Sequence, residues 1–491
     1  MNSRKLLLLF MPFFLFPLLL NWQRLFDPPY WDAITGIYTQ GVWLYRHHFN
    51  YAELARLPHF MEGGPNINLF YVFSPLYAIL LHYFQLRFVF LFLHLLILFC
   101  AGLVAMLFFR IMHAEYSWWL ALSWCLTAML NPIWSGQTAS LYVEIPLAAC
   151  VAIAIYGVWK DRYILAAVGC LAGYTMKGSA LIFALACAVY VLILAIGKRQ
   201  HCAWAQRFRP QAWILLVPLP LMIFLNHWAP VPTAIVPDIW GNFIYFFVKA
   251  RLQYPLVAVE LIGVLFFIFF KLFTSSWPQD AFTLFLTLVV GTFWLGYIFN
   301  SLPIPRYMVM IIFPLMCLLA RLTAPRKSVG AFIAVTLIAT SLITGHGRGF
   351  PVIPDHRGGR SGSELERSRE YLIDLDSNRA LCAYLETRAF EQIIVTKSPF
   401  TQMLTIPEFG YVKKALPYIV EAGRFSTLCP ALPLGAFLQR PGPHRTLCVY
   451  SPNIDELHWG PSLKPNANDH IILTDQTLPA PIIVYAREWK V

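Results

Sequence analysis

The feature that most constrains this chain is a series of long apolar runs. Runs of about 16 to 23 residues recur from Leu6 to about Thr344 and then stop, and each is long enough for a helix to cross the hydrocarbon of a bilayer. The alternating pattern of barrel strands is absent from them, which leaves helices as the spanning structure. The sequence therefore predicts an all-α polytopic membrane domain of about 11 to 13 transmembrane helices.

Composition and charge agree with a membrane protein. The chain is 58% hydrophobic and only 13% charged, whereas a soluble domain is about a quarter charged. A net charge of +12 would suggest nucleic acid in a soluble protein. Here Lys and Arg occupy mainly the short loops between apolar runs, where they set orientation in the membrane. We therefore expect a membrane and no nucleic acid as partner.

The basic loops predict which way the chain faces. The first span, about Lys5–Trp22, looks like an uncleaved signal anchor with a cytoplasmic start. The clusters in the loop 198–209 and at Arg326-Lys327 are expected in the cytoplasm. This orientation places the C-terminal region outside if the short segment Leu69–Tyr83 is re-entrant or interfacial and does not span. The predicted localisation is multi-pass in a bacterial inner (plasma) membrane with an extracytoplasmic C-terminal domain.

Two regions follow from the polarity pattern. Residues 1–345 are predicted to form the transmembrane domain, with an outer loop at 23–68, and residues 346–491 an extracytoplasmic small soluble α/β domain. The linker Gly358–Ser363 lies between them. Within the second region the pattern predicts one helix and several short strands. These are Ser377–Thr387 for the helix and Gln392–Thr396, Thr446–Tyr450, His470–Thr474 and Pro481–Tyr485 for the strands.

The outer loop carries an acid directly after the first span. Asp32 closes the run Pro28-Pro29-Tyr30-Trp31-Asp32 and precedes a helix-like piece, Ala33–His47, that is too short and polar to span. The simplest interpretation is that Asp32 caps this helix, because Asp is favoured at that position. Capping does not exclude catalysis, and a loop of this length in a compact protein is usually functional.

Three further charges stand at the ends of apolar runs. Glu144 begins one, Lys177 separates two, and Arg306 precedes another. Taken singly, Glu144 reads as an ordinary carboxylate at the water boundary, and Lys177 and Arg306 read as side chains that snorkel to the surface. As a set with Asp32 they share the face predicted to be outside. Two carboxylates and two cations there suit a reaction on an anionic, membrane-held substrate.

The order of four motifs resembles a known group of enzymes. An early acid stands in Pro29-Tyr30-Trp31-Asp32, and a Pro-Leu-Tyr motif stands in Phe73–Tyr77. A Lys-Gly pair closes Leu171–Gly178, and Arg306-Tyr307 opens a late span. Together they make the chain similar to the GT-C superfamily of integral membrane glycosyltransferases. The closest resemblance is to the protein O-mannosyltransferase-like branch, with its aminoarabinose transferases and Rgt-type transferases.

This resemblance implies a reaction and roles. Such an enzyme moves a sugar from a polyprenyl-phosphate donor to a lipid, glycan or protein acceptor on the extracytoplasmic face, with inversion at the anomeric carbon. Asp32 looks like the base, and Glu144 like a second acid that orients the acceptor or a divalent metal. Lys177, Arg306 and Tyr307 look like the donor-phosphate site. Metal dependence varies within the superfamily, which leaves Mg²⁺ or Mn²⁺ open as a cofactor.

Two other classes compete with this interpretation. A multi-span transporter of a lipid-linked or anionic substrate would also carry a few intramembrane charges. Transporters usually show two related halves with helices broken at matching places, and no such halves are visible in the sequence. A non-catalytic scaffold for surface polysaccharide assembly is the third alternative, and full dependence of an activity on Asp32 would argue against it.

Overall fold

A computed structural model provides the structure of the protein. It describes residues 3–31, 33–54, 71–202, 205–206, 208–228, 263, 280–298, 305–344, 369, 371–388, 392–423, 431–439, 444–451, 461–475 and 482–489. Two features singled out above, Asp32 and the linker Gly358–Ser363, lie outside these residues, and so does a further apolar run of the sequence, 256–273, except for residue 263.

The membrane region is helical, and its helices follow the apolar runs. Inside a bilayer no water is present to bind backbone N–H and C=O groups, and a helix pairs these groups within the segment itself. The apolar helices of the bundle are α1 (Ser3–Asn21), α5 (Leu86–His113), α6 (Trp118–Leu130), α8 (Glu144–Trp159), α9 (Tyr163–Met176), α10 (Ala180–Arg199), α11 (Pro218–Trp228), α12 (Ala281–Ile298), α13 (Val309–Thr323) and α14 (Lys327–Thr344). The short helices between them are α2 (Thr39–Arg46), α3 (Tyr51–Leu54), α4 (Phe73–Tyr83) and α7 (Pro132–Thr138).

Four helical stretches among the described residues are long and apolar enough to cross a membrane, and six more apolar helices are shorter. This supports an integral membrane protein, while the number of spans stays a prediction. The stretch 306–323, which contains α13, has 89% of its residues buried, whereas the stretch in α1 has 17%. Helix α13 is therefore central in the bundle and α1 peripheral.

Two apolar runs of the sequence that predict one continuous helix each are divided in the structure. The run Trp118–Trp134 breaks between α6 and α7, where the Asn131 side chain accepts a hydrogen bond from the Ile133 amide at 3.1 Å and Pro132 occupies the first helical position. Pro tolerates that position because its missing N–H would be unpaired there anyway. The run Ala212–His227 likewise divides into a 3₁₀ turn (Pro210–Leu216) and α11.

Close packing of α8 on α9 decides where two charges lie. A Cβ added at Gly169 would stand 2.9 Å from the Cys150 carbonyl oxygen, and one at Gly157 would stand 2.8 Å from the Ala166 amide. Small residues thus let the two backbones approach, as they commonly do in membrane helix pairs. Because the two helices form an antiparallel hairpin, the first residue of α8 and the residue after α9 meet at one end.

The outer loop contains unusual backbone. Trp31 has a φ of 47°, a left-handed conformation that is rare for a bulky residue. A π-helical turn, Ile34–Tyr38, follows and continues into α2. Helix α4 has eleven residues, too few to span a bilayer by itself, and the placement of Leu69–Tyr83 relative to the membrane stays a prediction.

The C-terminal region forms a six-stranded mixed sheet with strand order β3-β2-β1-β4-β6-β5. The pairs β3–β2, β2–β1 and β1–β4 are parallel, and β4–β6 and β6–β5 are antiparallel. The small α/β fold predicted for this region is consistent with the sheet. Its strands are β1 (Ile393–Thr396), β2 (Ile419–Glu421), β3 (Leu432–Pro433), β4 (His444–Tyr450), β5 (His470–Asp475) and β6 (Ile482–Trp489), and its helices are α15 (Tyr371–Arg388), α16 (Phe400–Thr405) and α17 (Leu434–Leu438).

The two faces of this sheet pack differently. Alternate residues of β1 point to opposite sides, so Ile394 joins the core that is continuous with the membrane helices, while Val395 joins a separate core around Phe437 of α17. Helix α16 packs on β2, and residues of α15 and α16 belong to the same core as Ile394. The C-terminal domain therefore packs on the membrane domain through a shared apolar core. The predicted boundary between residues 345 and 346 stays a prediction.

Candidate active site

Three charged side chains that are distant in sequence meet at one end of the helix bundle. The α8–α9 hairpin brings Glu144 and Lys177 together, and the 3₁₀ turn before α13 (Pro305–Met308) adds Arg306. Lys177 Nζ donates to Glu144 Oε1 at 2.6 Å, and Arg306 Nε lies 3.2 Å from the same oxygen. Two cations thus share one carboxylate oxygen.

Burial makes this cluster energetically significant. The side chains of Glu144 and Arg306 are each 2% exposed, and that of Lys177 is 24% exposed. An isolated ion so deep would cost several kcal/mol, which pairing offsets. Within the part of the chain that the structure describes, Glu144 Oε2 is buried and has no hydrogen-bond partner. Lys177 is the charged group of the cluster that a ligand can most readily reach.

Two tyrosine rings support the cations. Lys177 Nζ lies 4.3 Å from the centroid of the Tyr307 ring, and the Arg306 guanidinium lies 4.4 Å from that of Tyr142. Both distances are within the range of cation–π attraction. Tyr307 lies beside both cations, and its role in binding a donor phosphate stays a prediction. Tyr142 was missed, although an aromatic residue two positions before an acid at a span end could have signalled it.

A cavity of about 150 Å³ opens beside the cluster. One end presents the charged groups and a hydroxyl, and the walls contributed by α10, α12 and α13 are mainly apolar. A group that combines an anion with a hydrocarbon chain fits such a space. The lining residues are Glu144, Lys177, Ser179, Ile182, Phe293, Gly296, Tyr307 and Met310.

Asp32 lies outside the described residues, but its neighbours lie close to the cluster. Tyr30 and Ala33 share a small cavity of about 10 Å³ with Tyr142, whose ring contacts Arg306. The Tyr38 hydroxyl donates to the Leu141 carbonyl oxygen at 2.8 Å. The loop that carries Asp32 is thus anchored to the segment that leads into Glu144.

The described side chains do not form a metal site. No group of three His, Cys, Asp or Glu that could hold an ion occurs in the part of the chain that the structure covers. Among the described residues that line the cavity, Glu144 is the one carboxylate, and the two cations that it binds would repel Mg²⁺ or Mn²⁺. The metal that the resemblance leaves open therefore does not fit at Glu144.

A larger open groove, of about 510 Å³, lies elsewhere, between the end of α1 and the start of α15. It contains Arg24 and Arg369. Arg24 is bound in a bidentate manner by Asp376, at 2.7 and 2.9 Å, and also contacts Asp27. This groove belongs to the junction between the two domains and not to the charged cavity.

Comparison with known proteins shows the fold. No family model matches the chain, and no curated protein matches it. Two solved structures do, both of ArnT from Cupriavidus metallidurans. The structure bound to undecaprenyl phosphate is 15% identical, with a TM-score of 0.52 over 99% of this chain and 98% of that chain. The apo structure is 14% identical, with a TM-score of 0.51 and the same coverage.

These likenesses extend over both regions of the chain. The chain therefore shares its overall fold with these two ArnT structures, which agrees with the fold that the sequence resemblance predicts.

Proposed function

We propose that this protein is a membrane glycosyltransferase that takes a sugar from a polyprenyl-phosphate donor. The observation that carries the proposal is the cavity that Lys177 lines beside apolar walls, with Arg306 paired to Glu144 at its edge. A polyprenyl-phosphate sugar has the matching chemistry, since its phosphate is anionic and its chain is hydrocarbon. One of the two similar ArnT structures has undecaprenyl phosphate bound, which supports this ligand class.

The donor phosphate is held by Lys177, with Tyr307 beside it. Lys177 is the more exposed cation, so the phosphate meets it first. Arg306 lies behind it, bound to Glu144. A phosphate drawn into a dry cavity loses water and needs fixed positive partners, which this arrangement provides in advance. Tyr307 keeps the ammonium in place through its ring.

The reaction is a single displacement at the anomeric carbon. The acceptor oxygen forms a bond to that carbon while the bond from the carbon to the phosphate oxygen breaks, and the lipid phosphate leaves with the electron pair. The cations stabilise the charge that develops on the leaving phosphate. Asp32 accepts the proton of the acceptor hydroxyl, the role a positioned carboxylate can perform. Attack opposite to the leaving group inverts the configuration.

Glu144 has two oxygens with different tasks. Oε1 is the counter-ion that holds Lys177 and Arg306 together. Oε2 has no partner among the described residues and remains to orient the acceptor hydroxyl. The reacting face is extracytoplasmic, as the basic loops predict, and the acceptor is a lipid, glycan or protein on that side.

The test is a donor panel. Full-length protein in nanodiscs would be incubated with radiolabelled polyprenyl-phosphate sugars and membrane acceptors, and the labelled product identified. We expect label to move from one donor to an acceptor in the wild type and not in the double variant Lys177→Ala/Arg306→Ala. Movement of intact donor across sealed proteoliposomes without any transfer would instead establish the transporter alternative.

A further inference from the structure

We propose that the soluble domain acts as a clamp that fixes the backbone around Asp32. The clamp is defined here as helix α15 together with residues 400–411. Its importance for catalysis rests on the proposed function, because it matters for turnover only if Asp32 is the base. Its structural part, that the domain fixes the outer loop, stands on contacts alone.

Three hydrogen bonds join the clamp to the residues directly before Asp32. The Tyr411 hydroxyl donates to the Pro29 carbonyl oxygen at 2.9 Å, and Asn378 Nδ2 donates to the Tyr30 hydroxyl at 3.2 Å. Trp31 Nε1 donates to a carboxylate oxygen of α15, Asp374 Oδ2, at 3.2 Å. Consecutive residues 29, 30 and 31 are thus each held from the soluble domain.

An ionic chain holds the start of the same loop. Asp376 binds Arg24, Arg24 binds Asp27, and Arg379 Nη1 donates to Asp27 Oδ1 at 2.8 Å. The Asp27 side chain is only 6% exposed, and burial raises the pKa of its carboxyl although both arginines oppose this. Two acids and two arginines thus alternate along this chain, and their charges cancel. Arg24 and Asp27 of the outer loop pair with each other, and each also pairs with one residue of α15.

The residues after Asp32 are held as well. Helix α16 packs against the π-helical turn 34–38. Glu408 binds Arg46 of α2 in a bidentate manner, at 2.8 and 2.6 Å, and its carbonyl oxygen accepts from the Tyr77 hydroxyl at 2.6 Å. Contacts from the soluble domain therefore lie on both sides of position 32.

The backbone at this place needs such support. The left-handed conformation of Trp31 costs on the order of 1–3 kcal/mol and persists only when the surroundings impose it. The π-helical turn that follows is also a rare conformation, and such turns, where they occur, often lie at functional sites. A simple tether between domains would need neither feature. Constraint of a strained segment on both sides is what a device for positioning one side chain requires.

The experiment combines a local and a catalytic measurement on full-length protein in nanodiscs. Hydrogen–deuterium exchange of the peptide 27–46 would be compared between the wild type and the double variant Tyr411→Phe/Arg379→Ala. We expect faster exchange in this peptide. With the donor that the panel identifies, kcat should fall by about 10- to 100-fold, since a displacement of about 1 Å can cost 10²-fold. The KM for donor should stay close to that of the wild type, because the phosphate site is not changed.

Two controls separate positioning from general damage. Arg487→Ala breaks an ion pair with Asp469 inside the soluble domain, away from the loop, and should change neither exchange of 27–46 nor kcat. Restoring the cation with Tyr411→Phe/Arg379→Lys should return part of the lost kcat, because a lysine still carries the charge that pairs with Asp27.

The outcomes distinguish the clamp from the proposed function. Unchanged exchange of 27–46 in the double variant would refute the clamp, whatever the activity. Faster exchange with a reduced kcat supports it. Faster exchange with full activity in both the double variant and Asp32→Asn would remove Asp32 as the base while leaving the clamp established as a structural device.

Discussion

Two buried carboxylates in different regions of the molecule are stabilised in different ways. Glu144, in the membrane region, shares one oxygen with Lys177 and Arg306 and borders a cavity. Glu421, the last residue of β2, is also only 3% exposed. It accepts a hydrogen bond from the Thr401 hydroxyl and another from the Gly423 amide at 2.7 Å.

The difference shows how to separate a binding site from a structural network. Cations that hold a carboxylate beside a cavity remain available to a second anion. Hydroxyl and amide donors that hold a carboxylate satisfy it locally and tie one element to another. In the soluble domain, the bond from Thr401 ties α16 to β2 and so supports the clamp. The geometry therefore agrees with the ligand proposed for the cluster at Glu144 and with a structural role for Glu421.

The largest effect should come from Asp32, which belongs neither to the cluster at Glu144 nor to the network at Glu421. If Glu144 stays ionised as the counter-ion of Lys177 and Arg306, the proton of the acceptor hydroxyl must go to Asp32. Asp32→Asn keeps shape and capping ability but removes the proton acceptor, and transfer should slow by about 10²- to 10⁴-fold. Binding of undecaprenyl phosphate, measured by native mass spectrometry, should be unchanged. Asp161→Asn, at the opposite end of α8, is the control, and an Asp32→Asn protein with wild-type turnover would end this assignment.

Removing the shared anion should destabilise the membrane cluster. Glu144→Gln leaves Lys177 and Arg306 without their carboxylate, and loss of one partner from a buried ion pair costs about 3–5 kcal/mol. The thermal midpoint of the lipid-free protein should fall, and undecaprenyl phosphate should raise it by more than it raises that of the wild type. The matched control is Glu115→Gln, because Arg321 keeps Asp280 as a partner there. A variant with unchanged midpoint would mean that the cluster is not charged as described.

Removing the exposed cation should weaken the lipid directly. A hydrogen bond to a charged group contributes about 1.5–3 kcal/mol, so Lys177→Ala should lower affinity for undecaprenyl phosphate by about 10- to 100-fold. Lys177→Arg should restore it only in part, because a planar fork does not replace a compact ammonium. Lys160→Ala removes an exposed cation at the other end of α8 and should have no effect. Equal losses in both alanine variants would indicate unspecific attraction.

The network at Glu421 should respond to pH and not to lipid. Burial raises the pKa of its carboxyl from 4.5 to about 7, against the hydrogen bonds from Thr401 and Gly423 and the charge of Lys397. Between these values the unfolded chain is ionised and the folded one is protonated. The free energy of unfolding therefore falls as pH rises through this window and levels off above about 7.

Glu421→Gln should remove that slope, a difference in the free energy of unfolding of about 3.5 kcal/mol over the whole window, at roughly 1.4 kcal/mol per pH unit. Thermal midpoints of full-length protein in nanodiscs at several values from about pH 5 to about pH 8 would measure it. Undecaprenyl phosphate affinity should match the wild type. A steeper slope in the variant, or a loss of lipid binding, would contradict the division between the two carboxylates.

The smallest effect should come from the apolar wall of the cavity. A Cβ added at Gly296 would lie 2.6 Å from Ile182 Cδ1, so Gly296→Ala must move that side chain. A shift off its rotamer costs about 0.5–1.5 kcal/mol, which corresponds to roughly two- to tenfold weaker lipid binding. Gly291 lies on the same helix with open space around it, so Gly291→Ala tests the backbone change alone. Identical affinities for the two variants would place the hydrocarbon chain elsewhere.

Local patterns in the sequence predicted the helices and the charged positions well. Lys177 stood out because a single cation interrupts two apolar runs, and its turn between α9 and α10 is where the structure places it. The pairing with Glu144 could not be predicted, because it depends on the close packing of α8 and α9. Strands β2 and β3 were missed, since three and two residues are too few to show an alternating pattern.

Long-range contacts were the least predictable part. Pro29 and Tyr411 are 382 positions apart, and nothing near either residue announces the other. The π-helical turn after Asp32 also has no sequence signature, because the sequence favours an ordinary α-helix from Ala33. Packing against the surrounding residues, and not the local sequence, determines that this turn is π-helical. Contacts of this kind arise from the arrangement of whole domains, and periodicity within a segment carries no information about them.

The order of the elements along the chain has a consequence for synthesis. Every described residue of the charged cavity has left the ribosome once α13 is complete, whereas the partners of the outer loop, from Asp374 to Tyr411, are translated later. At about 5–20 residues per second, several seconds separate the two events. Under the proposed function, the nascent protein could hold a lipid phosphate during that interval before the contacts around position 32 exist. Transfer would then begin only after the C-terminal domain has emerged and folded.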